Sequence, residues 1–258
     1  MFTFKIVYRF SQIIQSRAKR ICQEKDIIFH VNSKPQQING LMYFPNYVNE
    51  KEAEILSNIV DSNQWLVNIR RRQQHYGVVY YHTRHDLSEI QPESSESEKA
   101  LDLTVFDWLI QRLISDEVFE ASYPPNQCLV NEYDNKDKLG CHVENIQAFG
   151  PIIAGISLHN PSYLALREVE NKENKVQLYL EPRSLYVLTS DSRYKWEHGV
   201  TKMKEIYNPV TQQTIIKNET YRRVSLTFRH VLFEGTKKVR RGDDSEVPPN
   251  YFKKTQQL

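Results

Sequence analysis

The strongest constraint on folding lies near the end of the chain, in the run Arg223-Val224-Ser225-Leu226-Thr227-Phe228-Arg229. Successive side chains of a strand point to opposite faces, so Val224, Leu226 and Phe228 share one face while Arg223, Ser225, Thr227 and Arg229 share the other. Such a strand needs an apolar layer on one side. On the other it needs something that neutralises two guanidinium groups, because buried unpaired charge is expensive. From Gln127 onward further short apolar runs appear, at 128–130, 152–158, 176–180 and 184–188, separated by turn-prone stretches at 134–140 and 171–174. Upstream, Asn49 to Val60 reads as an amphipathic helix, with Asn49 as N-cap, acids in the first turn, and Ala53, Ile55, Leu56, Ile59 and Val60 as its apolar side. Gly40 to Pro45 reads as a short strand before it, and the spacing from Leu101 to Phe119 predicts a second helix packed on a sheet. Short strands following helices predict an α+β, mainly β fold, a β-sandwich or jelly roll with supporting N-terminal helices.

Composition sets the frame for this reading. The 258 residues suffice for one large domain, placed at 37–235, with a basic extension at 1–36 and a basic tail at 236–258. With 40% hydrophobic and 26% charged residues, the chain has the makings of an ordinary core. A net charge of +2 excludes little, but Arg70-Arg71-Arg72 and Lys237 to Arg241 are basic knots and 93–98 is acidic. Cys22, Cys128 and Cys141 have no CxxC spacing, which argues against a zinc knuckle or a disulfide scaffold. No apolar stretch is long enough to span a bilayer, so no membrane partner is expected. Residues 1–23 lack acids and carry five basic side chains among apolar ones. This pattern fits an organelle-targeting leader, a helix packed on the main domain, or an RNA-facing arm.

Within this frame one constellation carries chemistry. His142 and Glu144 differ by two positions, so on a strand both emerge from the same face, and His198 could join them from a neighbouring strand. Two histidines and a carboxylate on one face of an octahedral metal leave open positions, the arrangement of non-haem Fe(II) oxygenases. The alternative is that His142 is a hydrogen-bonded core residue. Arg223 and Arg229 fit a bound dicarboxylate, since arginine's planar fork suits carboxylates; intraprotein salt bridges are the competing account. Asn131 and Tyr133 add an amide and a phenol to one face, where both could hydrogen-bond the same small acid.

At this point the chain resembles the AlkB-type Fe(II)/2-oxoglutarate dioxygenases. That family's order of N-x-Y, H-x-D, a distal H and R-x-N-x-T-x-R is matched by Asn131-x-Tyr133, His142-x-Glu144, His198 and Arg223-x-Ser225-x-Thr227-x-Arg229. Two departures stand out: Glu144 for aspartate and Ser225 for asparagine. Arg71-x-x-x-His75-Tyr76-Gly77 and the stretch from Pro182 to Gly199 are similar to the branch acting on modified wobble uridines of tRNA. The resemblance implies a double-stranded β-helix, Fe(II) bound by His142, Glu144 and His198, and 2-oxoglutarate held by Asn131, Tyr133, Arg223, Ser225 and Arg229. Arg223 would take the distal carboxylate and Arg229 would lie nearer the carboxylate that chelates iron. It further implies that O₂ is consumed, that 2-oxoglutarate becomes succinate and CO₂, and that a substrate C–H bond is hydroxylated.

On the substrate side, Arg70, Arg71, Arg72, Tyr76 and Tyr80 combine cations with aromatic faces, which suits a single-stranded or flipped base. The resemblance makes this segment a nucleotide-recognition lid. RNA, and tRNA in particular, is therefore the expected partner, met by a monomer either alone or with an accessory protein. The same chemistry on a protein or small molecule, or a module that binds without turnover, are the competing readings. The family allows a cytoplasmic or nuclear location, and the acid-free leader argues for an organelle such as the mitochondrion.

Overall fold

The computed structural model describes residues 38–66, 71–79 and 100–232, together with the backbone of 29–30. The leader, the acidic stretch at 93–98, the basic tail, Arg70 and Tyr80 lie outside the described residues. Among those described, no helix is long and apolar enough to cross a membrane.

The chain begins with β1 (Phe29–His30) and β2 (Leu41–Phe44), followed by α1 (Glu50–Ser62) and β3 (Gln73–Gly77). A 3₁₀ turn, Leu103–Phe106, then leads into α2 (Asp107–Ser115). The strands β4 (Gln127–Tyr133), β5 (Leu139–His142), β6 (Phe149–His159), β7 (Ser162–Glu168), β8 (Lys175–Leu180) and β9 (Leu185–Leu188) come next. After α3 (Ser190–Tyr194) and β10 (Trp196–Val200), a hairpin of β11 (Glu205–Tyr207) and β12 (Thr214–Ile216) precedes β13 (Arg223–Val231). Two antiparallel sheets result, a six-stranded one ordered β2-β9-β6-β13-β4-β3 and a five-stranded one ordered β1-β8-β7-β10-β5. This is the jelly roll expected from the sequence.

Alternation decides which side of the large sheet faces what. Val224, Leu226 and Phe228 of β13 join Met42, Phe44, Cys128, Val130, Ile156, Leu185 and Val187 beneath α1 and α2, whose Leu56, Val60, Leu109 and Leu113 complete this core. Each fully buried side chain of this size contributes about 1.5–3 kcal/mol. The opposite face meets the smaller sheet through Tyr43, Ile153, Leu164, Leu166, Leu178, Tyr186 and Trp196. Gly155 sits on this inner face because a Cβ there would come within 2.3 Å of the Tyr186 ring.

Helix α1 forms as its caps dictate: Asn49 accepts from the Glu52 N–H while the Glu52 carboxylate accepts from the Asn49 N–H. Ile55, placed on its apolar side by periodicity, is 50% exposed. The second helix is shorter than its periodicity predicts. Leu101 pairs with Tyr76 in a parallel bridge and Asp102 caps a 3₁₀ turn, so the α-helix begins only at Asp107. The short strand β5 and the β11–β12 hairpin lack an apolar run long enough to announce them, whereas β7 does carry one, Tyr163 to Leu166.

Candidate metal and dicarboxylate centre

His142 ends β5 and His198 lies in β10, and the two are directly opposite in the antiparallel ladder, with ring centroids 4.7 Å apart. The strands approach closely there because position 199 is glycine; a Cβ on it would sit 2.6 Å from the Leu139 carbonyl oxygen. Glu144 lies just past the end of β5, and its Oε1 is 3.8 Å from His142 Nε2 and 4.0 Å from His198 Nε2. All three groups have a ligand atom within 4.8 Å of the others. Two histidines and a carboxylate therefore converge, although strand alternation is not what brings Glu144 there, since it lies past the end of β5.

Burial and neighbouring charge set the protonation of the three groups. Burial drives the His198 imidazole down to about 4 against the opposing charge of Glu144, so it is neutral at pH 7. Burial would raise Glu144, but the charge of Arg229, ahead of the two neighbouring imidazoles, outweighs it and holds the carboxyl well below the usual range. Burial lowers His142, while the nearby Glu144 carboxylate more than compensates and leaves it raised. His142 Nδ1 lies 2.8 Å from the Gly140 carbonyl oxygen, an acceptor, so Nδ1 carries the proton and Nε2 faces Glu144. Glu144 Oε2 is buried with no well-directed hydrogen-bond donor; Arg229 Nη1 sits beside it at 2.9 Å as an ion pair, off the hydrogen-bond direction. With Oε2 paired to Arg229, Oε1 is the oxygen that faces both imidazoles, and the three groups together leave room for a cation.

The second half of the centre hangs on β13. Its register against β4 places Arg223 opposite Tyr133, Ser225 opposite Asn131, and Arg229 opposite Gln127. The register against β6 places Ser157 opposite Ser225. Arg223 is 1% exposed; its Nε donates to Ser157 Oγ at 2.9 Å, its Cζ lies 5.1 Å from the Tyr133 ring centroid, and its Nη1 is buried without a partner. Among the described residues no carboxylate lies within salt-bridge distance of Arg223. Arg229 differs. It is 2% exposed, covers the Phe149 ring at 3.8 Å, donates through Nε to Gln127 Oε1, and carries the ion pair to Glu144. Of the two accounts open from the sequence, a bound acid or intraprotein salt bridges, Arg229 has the salt bridge and Arg223 does not. Asn131 is buried at 6% and accepts a hydrogen bond from Gln73 at 2.6 Å. Ser225 and Thr227 are buried between the arginines.

Three side chains on this centre escaped sequence reasoning. Ser157 and Gln127 are signalled only by strand register, which a single sequence does not reveal. Lys217, 8% exposed, holds its Nζ 4.2 Å over the Tyr221 ring in the segment preceding β13.

The proposed substrate residues are dispersed. Arg71 lies on the inner side, its Cζ 5.5 Å from the Tyr133 ring centroid and its Nη1 donating to the Lys138 carbonyl at 2.6 Å. Arg72 points to the outer side, where it pairs with Glu132 and lies 4.7 Å over the Trp65 ring. Tyr76 is corrected outright. It is 1% exposed in the helix-side core, 4.8 Å from Phe106 between ring centroids, and has no face to offer a base. Period 2 explains the divergence: a run of cations and aromatics entering a strand is split between two faces.

Residues 40–229 match the model of the 2OG-Fe(II) oxygenase superfamily. The chain belongs to that family. The 2OG-Fe(II) oxygenases use Fe(II), 2-oxoglutarate and O₂, and this member is an AlkB-type dioxygenase. It is 30% identical over 207 residues to the uncharacterised protein L905 of Acanthamoeba polyphaga mimivirus, covering 79% of this chain and 90% of that one. It is 25% identical over 179 residues to the tRNA (carboxymethyluridine(34)-5-O)-methyltransferase ALKBH8 of Macaca fascicularis, covering 66% of this chain but only 26% of that protein. The solved structure of OsALKBH1 superposes with a TM-score of 0.55 at 17% identity, over 76% of this chain and all of that one, which bears on the fold alone.

Proposed function

We propose that this dioxygenase hydroxylates or oxidatively demethylates a modified nucleobase in RNA, with tRNA the first substrate to test. The observation that carries this reading is an asymmetry of exposure. The His142 side chain is 34% exposed, while Glu144, His198, Arg223 and Arg229 are all below 9%. The centre is thus shielded on the arginine side and open on the His142 side, where a flipped base could reach it. In this reading His142, Glu144 and His198 hold Fe(II), which when bound supplies the activation of O₂ for oxidative decarboxylation. Arg223 receives the distal carboxylate of 2-oxoglutarate through its unpartnered Nη1, with Tyr133 beside it. Asn131 and Ser225 line the passage between, and Arg229 braces Glu144 at the iron end. The likeness to ALKBH8 and the 182–199 stretch favour a wobble-position uridine over other bases.

The test combines two measurements. Purified protein with Fe(II), ascorbate and 2-oxoglutarate should form succinate, and more of it with a tRNA pool than with a peptide pool. Mass spectrometry of nucleosides from cells lacking the protein should show a wobble-uridine or methylated precursor accumulating. Unchanged nucleoside profiles across all RNA, or equal stimulation by peptides, would refute the RNA assignment.

A further inference from the structure

Arg193 is 2% exposed, yet no step considered so far uses it. Its guanidinium fans onto four backbone carbonyls of one segment. Nη1 donates to Glu144 at 2.8 Å, Nη2 to Asn145 at 3.4 Å and Phe149 at 3.3 Å, and Nε to Gly150 at 3.3 Å. Arg193 sits in α3, which runs through Lys195 directly into β10, the strand of His198. Glu144, by contrast, lies between the end of β5 and the start of β6, where no ladder holds its backbone.

We infer that Arg193 is a positioning residue for the metal centre, locking the segment that carries Glu144 to the segment that carries His198. The inference rests on the reading that His142, Glu144 and His198 hold iron. Its logic is mechanical. Glutamate has one more side-chain torsion than aspartate, so a Glu144 free at its backbone would present its carboxylate at many places. Here it is tied at both ends by guanidiniums from different elements: the carbonyl by Arg193 of α3, and Oε2 by Arg229 of β13. The extra methylene then spans a fixed gap. Only a planar fork with several donors can grip successive carbonyls this way; a lysine ammonium is a point charge and holds fewer of them. Burying a guanidinium merely to close a loop would be a poor solution, since its desolvation costs several kcal/mol and an apolar side chain would fill the same space.

The test is cobalt binding by the full chain, followed by the Co(II) d–d absorption spectrum and calorimetry at a temperature where every variant is folded. R193M and R193K are compared with wild type and with L226A. Leu226 lies in the helix-side core, so its variant is destabilised without touching the centre. Loss of a group that orients a metal ligand lowers affinity about 10–100-fold. We expect that fall and an altered spectrum in R193M, a smaller fall with an altered spectrum in R193K, and wild-type affinity and spectrum in L226A. If R193M does not fold, R193K decides. Wild-type affinity and spectrum in the Arg193 variants would overturn the inference while leaving the iron reading intact. Failure of the wild type itself to bind Co(II) would overturn both.

Discussion

Glu144 and Arg229 explain each other. A carboxylate one methylene longer than the family's aspartate reaches past the two imidazoles to a guanidinium buried on the neighbouring sheet, and that reach turns a departure from pattern into an ion pair. Shortening the side chain by one C–C bond, about 1.5 Å, withdraws the carboxylate from Arg229. Glu144→Asp is therefore expected to weaken metal binding about tenfold or more, as lost supporting contacts do, and to lower turnover. Calorimetric titration with Fe(II) or Co(II) checks this. An aspartate variant that binds and turns over better than the natural chain would show that the extra methylene is a defect rather than a fitted part.

The elements that hold the large sheet against α1 meet in a charged network whose centre is Glu132. Its carboxylate accepts from Arg72 and, at 2.7 Å, from Arg222, while Arg222 also pairs with Asp61 at the end of α1. Burial would raise Glu132, but the two arginines hold it below its ordinary value, and the Arg222 hydrogen bond lowers Asp61 likewise. For a carboxylate depressed in the folded state, the added stability is fully present above the unfolded value, near 4.5 for Glu132, and is lost as pH falls through the folded one. Urea unfolding followed from pH 7 to pH 3 should show this loss setting in near the unfolded value of 4.5 and deepening toward pH 3. Glu132→Gln should flatten that limb and reduce stability at pH 7 by about 2 kcal/mol, the scale of a partly buried charge-assisted pair. An acid limb unchanged in the variant would assign it to other groups.

These same elements show what sequence could and could not deliver. The alternation of β13, the N-cap of α1 and the apolar runs of β6, β8 and β9 were legible because local chemistry dictates them. The triad was legible because H-x-E at a strand end and a distal histidine keep their spacing. What stayed hidden depends on partners far along the chain. Arg229 meets Glu144, Arg223 meets Ser157, and Arg193 meets four carbonyls, all through register and packing that one sequence does not encode locally. Tyr76 misled for the same reason: its basic and aromatic neighbourhood reads as a surface, whereas its position parity sends it into the core.

For the molecule as a whole, the centre is a seam between the two sheets. His142 and His198 belong to the smaller sheet, Arg223 and Arg229 to the larger, and Glu144 sits on the crossing between β5 and β6. Ligands that fill the seam must add to global stability by mass action, by about 2.7 kcal/mol at a hundred times the dissociation constant. The melting temperature should therefore rise with Co(II) or Mn(II), rise again when 2-oxoglutarate is added, and fall to the apo value with a chelator. Arg223→Met should abolish the second rise and spare the first. A 2-oxoglutarate shift that survives this substitution would place the distal carboxylate elsewhere.

The strict alternation of β13 also limits how this protein can change over generations. Substitutions along the strand affect one face at a time, so the apolar layer and the reactive layer can drift separately. A single-residue insertion or deletion between Arg223 and Arg229 would invert part of the strand, turning apolar side chains such as Leu226 or Phe228 toward the seam between the sheets and a guanidinium into the packed helix side. Lineages of this chain are thus expected to vary in length at the β11–β12 hairpin while β13 keeps its residue count, a pattern that sequencing of relatives can check directly.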